Sequence, residues 1–149
     1  MRYSINTIKT TLEVKDISPN KACSSQNAYN ILEALYSNLE PDQEHFSILA
    51  LDSKLNLIGF KILFSGGQTS SQVDLKILFR NAILLGAVKT ILAHNHPSLD
   101  PTPSIEDVNI TNLIVDAGNI LDIKVLDHII LGSKNKYCSM RESQLMKGE

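Results

Sequence analysis

A short apolar run that empties into a proline-rich loop constrains this chain most. In KTILAH, Thr90 to Ala93 are too few for a helix and almost wholly apolar, so they read as a buried strand. The stretch that follows, HPSLDPTPS, holds three of the chain's five prolines. Proline fixes φ and removes a backbone donor, so the chain must leave the core there as a rigid surface loop. The next periodic segment, about Ser104 to Ala117 with Gly118 as its stop, predicts a helix. Strand, loop and helix in that order call for helices layered on a sheet.

The other elements agree. Ser24 to Leu39 fits a helix capped by Ser24 or Ser25, with Ala28, Ile31, Leu32, Leu35 and Tyr36 on one face. Pro41 and Asp42 break it. In EHFSILALD both alternating sets are mostly apolar, which suits a central strand. Asp52 to Asn56 is a hairpin turn, and Leu57 to Phe64 the return strand, ended by Gly66 and Gly67. A helix over about Ser71 to Gly86 carries Val73, Ile77, Leu78, Ile83 and Leu84. Ile123 to Leu126 and His128 to Leu131 are strand material, and Tyr137 marks an edge strand. Some β structure is expected across Tyr3 to Val14. The order β-β-α-β-α-β predicts a mixed α/β domain over residues 24–140. Residues 1–23 form a lead-in to the same domain, and residues 141–149 a polar tail.

Composition removes several function classes. At 149 residues the chain is long enough for one real core, and 43% hydrophobic against 20% charged residues argues against global disorder. A net charge of -2 argues against a nucleic-acid wrapper, so direct nucleic-acid binding is not expected. Cys23 and Cys138 are the only cysteines. They form no C-x-x-C, which excludes a four-cysteine zinc site and a thioredoxin-like dithiol, and they favour a cytoplasmic location. The polar start has no signal core, and no stretch has the roughly 18 apolar residues of a membrane span.

The chemistry lies in HNHPSLDPTPSIED, His94 to Asp107. His94 and His96 sit two apart at a strand end, so their side chains share a face and can meet one metal ion. Asp107 falls in the first turn of the next helix. Two nitrogens and one oxygen, with water in fourth place, suit catalytic zinc. Ser104 and Asp107 also have a plainer reading, as helix cap and acidic first-turn residue, and Thr102 with Pro103 is a competing cap. A hydrolase needs a base for its water. Glu44, at the start of the central strand, is the candidate, and Asp42, Glu40 and Glu106 are its rivals.

These residues resemble the JAMM (MPN-plus) metallopeptidase signature, and within that group the RadC-like proteins. EHFSILALD, GGQTSSQV and DHIILG are similar to runs those proteins carry. The resemblance covers about Ser24 to Met140, without the N-terminal helix-hairpin-helix region that many such proteins have. It implies a JAB/MPN-like (cytidine-deaminase-like) fold, a curved mixed β-sheet flanked by helices. It also implies one zinc ion per chain on His94, His96 and Asp107, with Glu44 as general base and Ser104 steadying the tetrahedral intermediate. Two departures stand out. Leu75-Lys76-Ile77 replaces the family's Pro-Arg-Glu, and Leu99 stands where glycine is usual. Lys76 keeps the arginine's charge but not its planar fork.

Other readings fare worse. HNH-type nucleases spread their catalytic residues over a ββα unit rather than one tripeptide, and a nucleoside deaminase needs a P-C-x-x-C run that is absent. His128 reads as a hydrogen-bonded histidine bridging strand and helix, His45 as structural, and both cysteines as buried or incidental thiols. Three functions remain: a zinc peptidase acting on a peptide or isopeptide; a RadC-like module that binds a partner in DNA repair or DNA metabolism; and another metal hydrolase.

Overall fold

The computed structural model of the chain describes residues 20–67 and 73–148, with isolated positions 4, 6, 9 and 12 before them. The strand expected across Tyr3 to Val14 lies, those positions apart, outside the described residues. The element order is α1 (Ser25–Tyr36), β1 (Glu44–Leu51), β2 (Leu57–Gly66), α2 (Leu75–Leu84), β3 (Lys89–Asn95), α3 (Ile105–Leu121), β4 (Lys124–Leu131) and β5 (Tyr137–Ser139). The strands form one mixed sheet in the order β2-β1-β3-β4-β5. Only the β3–β4 pair is parallel, and α3 is its crossover.

Alternation along the strands divides the core in two. On one face Leu49, Leu51, Ile91, Ala93, Ile129 and Leu131 pack against Ala28, Ile31 and Leu32 of α1. On the other, Phe46, Ile48, Leu92 and Val125 pack against Leu78, Phe79 and Ala82 of α2 and Ile114 and Val115 of α3. β1 and β3 lie inside the sheet with both faces covered, hence their near-continuous apolar runs. Each fully buried leucine or isoleucine contributes about 1.5–3 kcal/mol.

Several boundaries differ from the sequence expectation. Ser24 caps α1, its hydroxyl accepting from Asn27 N. The middle helix starts at Leu75 rather than near Ser71, because the Asp74 carboxylate accepts from Lys76 N and caps it there. α3 is capped by Ser104, not by Thr102 with Pro103, and it runs through Gly118 to Leu121. The reason is packing. A Cβ on Gly118 would lie 2.5 Å from Ile123 O, so the glycine admits a close approach of the chain leaving the helix. Asp122, at φ 56, makes the stop instead. The two expected strand pieces around Asp127 form one strand, β4, with a register shift at Thr90/Ile91.

The ends of the domain are tied in. Ala22 N donates to Leu55 O. Beyond β5, Lys147 N donates to Asn112 Oδ1 and Arg141 N to Asp127 Oδ1. No helix among the described residues is long and apolar enough to cross a membrane.

Candidate metal centre

The sheet register brings the candidate residues together. The antiparallel β1–β3 ladder ends with Phe46 opposite His94, and Glu44 and His96 lie just beyond that last pair on the two chains. Period-two alternation places Glu44, Phe46 and His94 on the α2/α3 face. On α3, Asp107 and Thr111 are one turn apart, and both turn toward the sheet.

The result is a tight group. His94 Nε2 and His96 Nε2 are 3.0 Å apart. Asp107 places Oδ1 3.4 Å from His94 Nε2 and Oδ2 3.4 Å from His96 Nε2. Glu44 Oε1 is 3.9 Å from His94 Nε2, and ligand atoms of Glu44, His94 and His96 all lie within 4.8 Å of one another. His94 is wholly buried and Asp107 nearly so. The rivals Glu40, Asp42 and Glu106 are exposed, whereas Glu44 is half-buried.

Ser104 and Asp107 form a full capping box: Asp107 N donates to Ser104 Oγ at 3.0 Å, and Ser104 N to Asp107 Oδ2 at 2.8 Å. The plainer reading of this pair therefore holds, and the same carboxylate also faces both histidines. Ser104 is joined to the group through Asp107.

The electrostatics follow from that crowding. Burial pushes the Asp107 carboxyl up, but the two imidazoles and the Ser104 N–H outweigh it and hold it well below the usual carboxylate range. The Asp107 carboxylate, against some desolvation, raises the pKa of His96. His96 Nδ1 sits 2.7 Å from the Asp100 carbonyl, which can only accept, so Nδ1 carries a proton and Nε2 faces the group.

Three supporting residues were not singled out from sequence. Asn95 Oδ1 accepts from His45 N at 2.8 Å and its Nδ2 donates to Gln43 O at 2.8 Å, which clamps the backbone on both sides of Glu44. The middle letter of H-N-H was the available signal, since alternation turns it to the face opposite the histidines. Tyr36 donates from the α1 side to His45 O, 3.1 Å away. Thr111 Oγ1 lies 2.6 Å from His128 Nδ1.

The readings of the remaining histidines stand. His45 is held by Ser65 Oγ and Glu40 O on the α1 face. His128 joins strand to helix through Thr111, and it also meets His94 Nδ1 at 2.8 Å. Burial pushes the His128 pKa well below the ordinary imidazole value. Cys23 is exposed and Cys138 half-buried, so neither is a core thiol.

The family model described as the RadC-like JAB domain matches residues 22–145. The chain belongs to the RadC-like JAB domain family. A UPF0758 protein of Syntrophomonas wolfei subsp. wolfei is 46% identical over 105 residues, which are 70% of this chain and 44% of that protein. One from Carboxydothermus hydrogenoformans is 44% identical over 119 residues, 80% of this chain and 51% of that protein. A third, from Listeria monocytogenes serotype 4b, is 47% identical over 100 residues, 67% of this chain and 44% of that protein. The RadC-like chain thus spans about half the length of the curated relatives it matches. Its histidine pair, Glu44 and Asp107 all fall inside the matched region.

Proposed function

We propose that this RadC-like domain is a zinc-dependent hydrolase of peptide or isopeptide bonds, with His94, His96 and Asp107 as metal ligands and Glu44 as general base. One observation carries the reading: two imidazole Nε2 atoms 3.0 Å apart share a buried site with carboxylate oxygens 3.4 and 3.9 Å away. Electron-pair donors packed so closely need a proton or a metal cation among them, and imidazole and carboxylate groups converging from two strands and a helix offer the donor set of a metal ion. Nitrogen and carboxylate donors together suit zinc. When bound, such an ion supplies Lewis acidity and brings the pKa of its water toward neutrality.

The chain's own groups supply the rest. Glu44 takes a proton from the attacking water and passes it to the leaving amine. The Ser104 oxygen accepts from Asp107 N, which leaves its own O–H to donate to the developing oxyanion. Asn95 fixes the backbone on both sides of Glu44. The cytoplasm, a reducing compartment, suits the free thiols of Cys23 and Cys138.

The test compares zinc-loaded wild type with Glu44→Gln on a panel of peptides and isopeptides. Wild type should cleave. Glu44→Gln should keep its zinc and fold but lose most turnover, and equal turnover would reject Glu44 as base. The second reading, a partner-binding module in DNA repair or DNA metabolism that carries metal without peptidase activity, has its own support. Leu99 and Ile105, on the loop and helix that bear the ligands, are 54% and 76% exposed. Leu99 also lines a cavity of about 350 Å³ with Tyr36, His96 and Leu131. A wild type that cleaves nothing yet binds a protein partner equally well with or without Glu44 would favour this reading.

A further inference from the structure

His94 can present a lone pair at Nε2 only if its other nitrogen, Nδ1, carries the ring proton. His94 Nδ1 faces no carboxylate or carbonyl. It faces a second imidazole, His128 Nε2, at 2.8 Å. Two neutral imidazoles can share that contact in either direction, so the pair alone does not decide where the proton lies.

The next two contacts decide it. His128 Nδ1 is 2.6 Å from Thr111 Oγ1, and Thr111 Oγ1 is 2.6 Å from the Asp107 carbonyl. A carbonyl oxygen only accepts. The single Thr111 proton therefore goes to Asp107 O, because otherwise two oxygens would face each other at 2.6 Å with no hydrogen between them. The Met140 thioether, 3.6 Å from the same hydroxyl, is a weak competitor. With its proton spent, Thr111 accepts from His128 Nδ1–H. His128 Nε2 is then a lone pair, and it accepts from His94 Nδ1–H. We propose that His128 and Thr111 are positioning residues that lock His94 in the tautomer whose Nε2 lone pair faces His96, Asp107 and Glu44.

Two further features support a built relay. It closes on the backbone of Asp107, so it ties the strand-borne histidine to the helix-borne carboxylate. It also depends on an irregularity in the sheet. Thr90 pairs with Val125 but Ile91 with Asp127, so β4 carries one extra residue at Leu126. That residue reverses the alternation and turns His128 to the face of Leu92 and His94. Under unbroken alternation from Val125, His128 would point to α1. Bulges of this kind re-aim side chains beside functional sites.

With the metal reading above as its premise, the relay should act on metal affinity through His94. The test uses Thr111→Val, which keeps the shape and removes the hydroxyl, and Thr111→Ser, which restores it. Metal-free protein with ¹⁵N-labelled histidine is examined by long-range ¹H–¹⁵N NMR at about pH 9, well above the ordinary histidine pKa. Zinc affinity is measured by chelator competition, and urea unfolding checks that each variant is folded. Wild type and Thr111→Ser should show His94 protonated at Nδ1. Thr111→Val should populate the Nε2–H form and bind zinc roughly 10–100-fold more weakly, the range seen for partners of ligating histidines. An Nε2–H tautomer in wild type overturns the relay, as does unchanged zinc affinity in folded Thr111→Val. A wild type that binds no zinc but shows the Nδ1–H tautomer supports the relay and rejects the metal reading. If Thr111→Val does not fold, the wild-type tautomer still decides.

Discussion

Asp107→Asn separates the helix-capping role of that side chain from its proposed role as a metal ligand. In the helix, Asp107 Oδ2 accepts from Ser104 N at 2.8 Å while Asp107 N donates to Ser104 Oγ. Asn keeps one side-chain oxygen, so the box can persist, and the loss should be about 0.5 kcal/mol or less, since Asn and Asp cap comparably. At the proposed metal centre the substitution is far more damaging. The carboxylate offers one oxygen to each histidine, both at 3.4 Å. With its oxygen kept on Ser104 N, the Asn amide turns its NH₂ to His94 Nε2. That donor satisfies the lone pair meant for a cation and brings no negative charge. Zinc affinity should fall by more than about 100-fold, beyond what changes behind the ligands cause. The assay is zinc competition against a chelator at fixed pH, with urea unfolding of the metal-free proteins alongside. Unchanged zinc affinity would return Asp107 to the role of helix cap alone.

Two further predictions concern the frame around the site. Gly118→Ala should destabilise the domain by about 1–3 kcal/mol by urea unfolding, because the new Cβ meets Ile123 O at 2.5 Å and Val125 Cγ2 at 3.3 Å; helix propensity alone predicts a gain, so a more stable variant would contradict the close approach. Asp127 is a buried carboxyl whose pKa burial raises, against the hydrogen bonds from Ser139, Arg141 and His128 that lower it. The folded state thus holds this proton at a pH where the unfolded chain has lost it. The associated stability is fully present below about pH 3.9, the ordinary aspartate value, and is lost as pH rises through the raised one. Asp127→Asn should remove that slope from a series of unfolding curves taken across the range, and identical slopes in both proteins would refute it.

Much of the site was legible because its decisive spacings are local. Two histidines two apart at a strand end must share a face, and an acid three residues after a serine falls in the first turn of the helix it caps. The near-continuous apolar runs of β1 and β3 announced interior strands. Helix ends were less legible. Gly118 looks like a stop on propensity, but the chain returning at Ile123 needs the space its missing Cβ leaves, and Asp122 ends the helix instead. The middle helix, expected from about Ser71, starts at Leu75 because the Asp74 carboxylate caps it.

What sequence alone determined, then, is everything set within one turn or one strand: the histidine pair, the capping acid, the layered α/β character and the apolar faces. What only the tertiary structure decided is parity and partnership between distant segments. Glu44 reaches His94 because β1 and β3 pair antiparallel with Phe46 against His94. A shift of one residue would send the carboxylate to the α1 face. His128 reaches His94 because the extra residue in β4 reverses its alternation. Register is settled by the packing of a whole sheet between two helical layers, and no local pattern of residues carries that information.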